Sequence, residues 1–374
     1  MIAQPMRILF ITSAHSSIDD RILYHQALSL ANGHQVWIYS TFSGKTENIE
    51  GVEVVYDNTQ FLNRKSKIRA FTAFCESIVP DVVICSEPLP ILGVYRYKRN
   101  NSASSLRILY DVTEFYPSKK NLQGISGFKK VLKTIALVWL NKKAAAKVDG
   151  FIFGEYFKAL FYKSHFKRKP YLELPYYQDL SYYPIGKSLP NIFTIGYSGK
   201  FSEEKGILRF AEVLHLFSQR YDIKNWQVKM IGWFESESIE KEFMKRTQGL
   251  PVEIVDNLPF KKFCQALSEF SVFLDLRDTD PENNLCVPIK LFSYASAGRR
   301  IIYSALQAIE TTYPQKSFIT NKRIDDLRGV VEQLSLYVEN QGELEKACKA
   351  ASEFAEGHQW NTIKADFIRF VTNE

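Results

Sequence analysis

Cysteine is sparse and scattered in this chain: Cys75, Cys85, Cys264, Cys286 and Cys348 are odd in number and never form a CxxC. This excludes a disulfide framework and a cysteine-based zinc site. The 6 histidines contribute no ligand cluster, so no metal and no cofactor is expected. With only 18 glycines and 14 prolines the chain is neither collagen-like nor of low complexity. Long apolar runs are missing too. The most apolar stretch, Ile135 to Leu140, is bounded by Lys133 and by Asn141-Lys142-Lys143, and a membrane span needs about 20 apolar residues. The opening run from Met6 to Thr12 is too short for a signal peptide. A reduced, cytoplasmic protein is expected, soluble or peripheral on the inner face of a membrane.

Of the 374 residues, 45% are hydrophobic and 24% charged, which excludes general disorder. At roughly 150 residues per domain, the length suggests about two domains. Lys and Arg number 48 against 41 Asp and Glu, a net charge of +7. So mild an excess gives no reason to expect nucleic acid, and fits anionic small ligands or an anionic membrane surface equally well. Aromatics are plentiful at 14% and are expected mainly in core and interfaces.

The first half alternates short apolar strands (Arg7–Thr12, Gln35–Ser40, Val52–Tyr56, Asp81–Cys85, Arg107–Asp111, Gly150–Phe153) with helical patterns at Asp19–Ala31, Lys65–Ile78, Leu89–Arg99 and Gly127–Lys147. Such alternation means βαβ units and a parallel sheet. From Leu174-Pro175 to Leu189-Pro190 the rhythm breaks, with three prolines and two Tyr-Tyr pairs, and this reads as an interdomain linker. The alternation then restarts, with strands at Phe193–Tyr197, Gln227–Ile231, Val252–Val255, Val272–Leu276 and Arg300–Ser304. Helices are expected at Lys205–Tyr221, Ser236–Thr247, Phe260–Glu269 and Pro288–Ala297, and dominate from Asp325 onward. The fold class is α/β, with two Rossmann-like parallel-sheet domains facing each other across a cleft. Ligands of open α/β sheets bind at the carboxyl ends of the strands.

Four segments contain residues suited to chemistry. In Gly196-Tyr197-Ser198-Gly199-Lys200-Phe201-Ser202-Glu203-Glu204-Lys205-Gly206 a strand runs into glycines and then lysines near a helix start. Glycines admit a close ligand, and Lys200 and Lys205 could flank a diphosphate; the alternative is a solvated helix start. In Asp280-Pro281-Glu282-Asn283-Asn284 to Gly298 a polar turn precedes a helix whose first turn offers N–H groups and Lys290 to an anion, or is simply capped. His15 sits in the loop after the first strand, where it either faces the cleft or is merely exposed. Asp111 and Glu114 end another strand, as polar groups for a substrate or as caps of the next helix.

At these four places the sequence resembles the large group-1 family of retaining GT-B glycosyltransferases. The first-strand loop with Asp19-Asp20-Arg21, followed by Gly33-His34-Gln35-Val36, resembles the family's N-terminal pattern. Tyr110 to Pro117 is similar to its Asp-x-His-Glu-x-x-Pro segment, with Thr113 at the histidine position. Gly199-Lys200 to Lys205-Gly206 resembles its Gly-Arg-x-x-x-x-Lys-Gly phosphate clamp, with Lys200 for arginine. Asn283-Asn284 to Gly298 resembles its nucleotide-binding helix, with Ser293 where a ribose-holding glutamate is usual and Leu285 at the other glutamate position, Glu282 being near. Asp278-Thr279-Asp280 is read as a turn and not as a metal-binding DxD.

The resemblance implies a metal-independent transferase moving a sugar from a nucleotide diphosphate sugar to a glycan or lipid-linked saccharide in polysaccharide biosynthesis. It implies an acceptor-side domain over residues 1–180 and a nucleotide-sugar-binding domain over 190–357, with a C-terminal helix, 358–374, crossing back to the first. Lys200, Lys205 and His15 would be catalytic. Gly199, Glu282, Asn283, Asn284, Lys290 and Ser293 would bind the donor, and Asp111 and Glu114 would line the acceptor side. Two alternatives stay open: a catalytically degenerate GT-B partner subunit, favoured by Ser293, Leu285 and Thr113, and a nucleotide-sugar epimerase.

One stretch stands apart. Lys129, Lys130, Lys133, Lys142, Lys143 and Lys147 surround Phe128, Ile135, Leu137 and Trp139. It reads either as a domain helix with an apolar core face and a solvated lysine face, or as a basic amphipathic segment for an anionic membrane surface.

Overall fold

The computed structural model describes residues 4–59, 63–102, 105–184, 188–314 and 319–373; residues 185–187 of the expected linker therefore lie outside the described residues. The chain divides into two units, one of Met1–Tyr176 with Ile363–Glu374 and one of Tyr177–Thr362.

Among the described residues the first unit holds eight strands: β1 (Arg7–Thr12), β2 (Gln35–Ser40), β3 (Glu47–Ile49), β4 (Val52–Tyr56), β5 (Val82–Cys85), β6 (Arg107–Val112), β7 (Gly150–Phe153) and β8 (Tyr171–Glu173). Their order is β3-β4-β2-β1-β5-β6-β7-β8, parallel except for β3 against β4. The inner strands β5 and β7 are buried at every residue, as expected where helices cover both faces of a parallel sheet. The chain enters at β1, steps outward to β4, and returns to β5 on the other side of β1. This reversal sets the loops after β1 and β5 side by side.

Asp19 caps the first helical segment, accepting the N–H groups of Arg21 and Ile22 at 3.1 Å each. The expected regular helix over Asp19–Ala31 is instead a wider π-helical stretch, Asp20–Ala27, followed by a short α-helix, Leu28–Ala31. β3 and β8 were not expected, because three residues with an exposed face show no usable period. The helix Tyr156–His165 also escaped expectation. The last helix, Trp360–Thr372, ends among first-unit residues. The Arg107 guanidinium donates to the carbonyls of Phe370 and Val371 and lies 5.1 Å from the Phe370 ring centroid. Phe367 and Val371 are fully buried.

The second unit is a six-stranded, wholly parallel sheet of β9 (Phe193–Phe201), β10 (Trp226–Phe234), β11 (Val252–Val255), β12 (Val272–Asp275), β13 (Arg300–Ser304) and β14 (Ile319–Lys322). The order is β11-β10-β9-β12-β13-β14. β14 was not expected. β9 runs past the expected end at Tyr197 to Phe201, in register with β10 out to Phe234. Lys200 is therefore a strand residue and not a loop residue. The core packs Ile195, Val228 and Leu274 against Phe210, Leu214 and Phe217 of the helix Ile207–Ser218, all fully buried or within 1% of it.

Candidate functional site

In the second unit the chain builds β9, β10 and β11 and then returns to β12 beside β9. The strand order reverses here, and the carboxyl ends of β9 and β12 adjoin; open α/β sheets bind ligands at such a point.

Gly206 holds this corner together. Its φ is +80°, and a Cβ there would lie 1.9 Å from the Leu276 carbonyl oxygen, so only glycine lets the turn press onto the end of β12. Arg209, in the next helical turn, donates through Nε to the same carbonyl at 2.9 Å and pairs with Asp278 at 2.6 Å. Lys205 is thereby set with its ammonium 2.9 Å from Asn283 Oδ1 and 3.2 Å from Glu204 Oε1.

Behind Lys205 lies a buried charge cluster. Asp275, fully buried at the end of β12, accepts a two-pronged contact from Arg277, Nε at 2.9 Å and the terminal nitrogen at 2.6 Å. Burial disfavours the carboxylate, but Arg277 and Lys290 outweigh it and hold Asp275 below the usual carboxylate range. The Lys290 ammonium stands 3.6 Å from Asp275 Oδ2 and 3.8 Å from the Tyr197 ring centroid. It is shielded from water without a hydrogen-bond partner, although 21% of the side chain is exposed along its stem. Its pKa is pushed down to about 7, chiefly by burial; Asp275 opposes the shift, and Arg277 and Lys205 add to it. Gly199, with φ at +96°, leaves room for this lysine: a Cβ there would sit 3.3 Å from Lys290 Cε.

The structure thus brings Gly199, Lys205 and Lys290 together with Asp275 and Arg277. Lys200 instead pairs with Glu235 at the end of β10, where both are about half exposed. Of the two lysines expected to flank a diphosphate, Lys205 lies at this corner with Lys290 and Arg277, and Lys200 lies at the β10 side.

The polar turn before the second motif is a short helix, Pro281–Asn284, capped by Asp280. Asn283 is 4% exposed, and its amide donates to Glu204 and Asp280. Asn284 accepts the Gln307 N–H at 2.8 Å. Glu282, in the first turn of that helix, is half-buried, as is Cys286 in the loop that follows. The next helix, Ile289–Ser296, begins after Pro288. Ser293 on it is buried, and its hydroxyl donates to the Ile289 carbonyl at 3.4 Å.

In the first unit the reversal between β1 and β5 sets His15 beside Glu87. The imidazole Nδ1 is 3.3 Å from Asp19 Oδ2; Nε2 is 3.1 Å from Thr113 Oγ1 and 3.8 Å from Glu87 Oε1. Burial opposes the imidazolium, but the hydrogen bond and charge of Asp19, with Glu87 and Glu114, raise its pKa to about 9. His15 is therefore a cation at neutral pH. Glu87 is held by the Ser13 N–H at 2.7 Å and the Thr12 hydroxyl at 2.8 Å; burial nevertheless raises its pKa.

Asp111 is almost wholly buried, paired with Arg21 at 3.1 Å and accepting from the Gln26 amide at 2.8 Å. Its carboxylate anchors the segment Asp20–Ala27 and caps no helix, while Glu114 stays exposed. Nearby, the Lys158 ammonium donates to the Thr113 carbonyl at 2.6 Å and pairs with Glu155 at 3.2 Å.

Asp275, Arg277 and Glu87 were missed in the sequence. A signal existed for the first two: Asp275-Leu276-Arg277 closes an apolar strand with two opposite charges on one face, at the strand period. Glu87 lies two residues past the end of β5 and precedes a helix-starting proline. Among the described residues no group of three or more His, Cys, Asp or Glu is placed to hold a metal ion, and no helix is long and apolar enough to cross a membrane.

No family model matches the chain, and no curated protein matches it in sequence. Solved structures do match in fold. A sucrose-phosphate synthase from Thermosynechococcus elongatus superposes with a TM-score of 0.72 at 12% identity, over 98% of this chain and 98% of that one. WaaG, a glycosyltransferase involved in lipopolysaccharide biosynthesis, gives 0.72 at 12% identity, over 98% and 100%. Anabaena HepE, solved in complex with UDP, gives 0.70 at 12% identity, over 99% and 100%. The two Rossmann-like units are thus those of the GT-B glycosyltransferase fold, matched over essentially the whole chain.

Proposed function

We propose that the protein is a glycosyltransferase that moves a sugar from a nucleotide diphosphate sugar to a glycan or lipid-linked saccharide, without a metal ion and with retention at the anomeric carbon. The observation that carries this reading is the cation set Lys205, Lys290 and Arg277 at the β9–β12 reversal, with the Lys290 ammonium buried and lacking a hydrogen-bond partner. When the bond between the sugar and the diphosphate breaks, negative charge grows on the β-phosphate. Preorganised cations shielded from water stabilise that charge more than cations in bulk solvent. Lys205 and Lys290 take this role, Gly199 admits the phosphates closely, and Arg277 fixes Asp275 so that Lys290 keeps its place. Lys200, on the exposed end of β9, neutralises from the rim once Glu235 releases it. Glu282, half-buried in the first turn of the short helix that holds Asn283, serves the ribose, and the Ser293 hydroxyl stays on its own helix.

The second unit is the donor side and the first the acceptor side. On the acceptor side His15, as an imidazolium, donates hydrogen bonds and withdraws charge; it is not a proton acceptor at neutral pH. Glu114 is the exposed carboxylate beside it, and Asp111 positions the segment that begins at Asp19. Retention rests on the resemblance of Asn283 to Gly298 to the retaining family's motif. HepE's complex with UDP makes UDP-sugars the first donors to try.

Ser293 in place of a glutamate favours one second reading, a degenerate partner subunit. A panel of nucleotide sugars separates them: a transferase releases nucleoside diphosphate slowly by hydrolysis, and EDTA leaves this unchanged. Interconversion of the donor sugar would identify an epimerase. Binding without turnover would identify the degenerate partner, and activity restored only by Mg²⁺ or Mn²⁺ would remove the leaving-group role from the lysines.

A further inference from the structure

The helix Gly127–Ala145 presents the opposite face from the one its sequence suggests for a core helix. Of the four apolar residues expected to pack inward, only Leu137 does so, alongside Leu140, Ala144 and Ala145. Phe128 is 75% exposed, Ile135 and Trp139 60% each, Val131 53% and Leu132 51%. At 100° per residue these five fall in one stripe about 100° wide, running about 16 Å along the axis. Other exposed large apolar side chains are scattered, one or two to an element.

The charge around the stripe is of one sign. From Lys119 to Val148 the sequence carries eight lysines and no aspartate or glutamate. Lys129 borders the stripe, and Lys142 and Lys143 extend it by a turn, all exposed. The Lys143 ammonium lies 4.7 Å from the Trp139 ring centroid, a cation directly beside an indole. Aromatic rings and long basic side chains arranged in this way suit the boundary between acyl chains and headgroups. A second copy of this helix is a poor occupant, because pairing would bring lysines against lysines. A stripe of this length cannot cross a bilayer and lies along its surface.

We propose that this helix docks the protein on an anionic lipid bilayer, with Phe128, Val131, Leu132, Ile135 and Trp139 set among the acyl chains and the lysines against the headgroups. The inference stands independently of the transfer reaction, since it is read by binding alone. The full-length protein is sedimented with vesicles of phosphatidylcholine containing about one-third phosphatidylglycerol, and with pure phosphatidylcholine, at low and high salt. Wild type should bind the anionic vesicles and lose binding with salt, because each lysine near such a surface contributes a screened attraction. Phe128→Ser/Ile135→Ser/Trp139→Ser and, separately, Lys129→Gln/Lys142→Gln/Lys143→Gln should each weaken binding by about tenfold or more. All six residues are exposed, so both variants should melt as wild type does. No binding by the wild type overturns the proposal, as does binding that survives in both variants. So does a wild-type dimer, seen by light scattering, that the serine variant dissociates, because a second copy would then be the occupant.

Discussion

Nucleotide binding at Lys290 should draw in a proton. In the free protein burial holds the ammonium's pKa near about 7, against an ordinary 10.5. Asp275 is shared with Arg277, and a diphosphate beside Lys290 adds opposite charge of its own, so the bound-state value should return to about 10.5 or above. Between those values each unit of pH is worth about 1.4 kcal/mol. Affinity should therefore fall about twentyfold from pH 7.5 to 9 and about fiftyfold from pH 7 to 9. At pH 8.5 binding should take up about one proton. The stability of the free protein moves the other way. The unfolded chain holds this proton more tightly, so the group adds stability as pH rises from 7 toward 10.5. Calorimetry with the best-binding nucleoside diphosphate of a panel, at pH 8.5 in buffers of differing ionisation enthalpy, reads the proton count directly. Lys290→Met should bind more weakly at pH 7 and show no uptake. Zero uptake by the wild type, or the same uptake in the methionine variant, would refute the reasoning and move the diphosphate away from Lys290.

Lys205→Ala should weaken nucleoside diphosphate binding by about 1.5–3 kcal/mol, the range for a charged hydrogen bond; unchanged affinity with an intact fold would end its role at the leaving group. Ser293→Ala should leave that affinity within about twofold, since the hydroxyl already faces the Ile289 carbonyl; a loss of about tenfold or more, near 1.4 kcal/mol, would instead put the hydroxyl on the nucleotide. For His15, whose folded-state pKa is raised to about 9, the stabilising contribution is complete below about 6.5 and lost as pH passes 9. Melting curves of wild type and His15→Gln should therefore converge above pH 9, and a constant gap would assign the stabilisation to packing.

Much of the sheet was legible because its strands are apolar, β-branched runs between polar breaks. The bounds of β1, β2, β4, β7, β11 and β13 coincide with those expected from the sequence. The short edge strands β3, β8 and β14 were not, because three or four half-exposed residues carry no periodic signal. The end of β9 was misjudged for a different reason. Gly199 looks like a strand breaker, yet it lies opposite Gly232, where a Cβ would meet the Gly199 carbonyl at 1.9 Å. Two facing glycines extend that ladder, a relation that local sequence does not display. At the site, Gly199, Lys205 and Lys290 could be nominated from motifs. The Asp275–Arg277 pair belongs to no motif: its charges on one strand face were visible, but its importance comes from β12 lying beside β9, and a chain reversal is a property of topology. Asp111 shows the converse: its place at a strand end suggested an open carboxylate, and Arg21 and Gln26, far away in sequence, occupy it.

The contact of Gly206 with the Leu276 carbonyl also bears on how this protein tolerates redesign. The segment from Ser202 to Gly206 has no slack: it leaves one strand and meets the end of another within five residues. An inserted or deleted residue there would lift Gly206 off the carbonyl and shift the Lys205 ammonium by the length of a residue, roughly 3.3–3.6 Å for extended chain. Grafts or libraries meant to alter sugar preference should keep this stretch at its present length and place their diversity elsewhere.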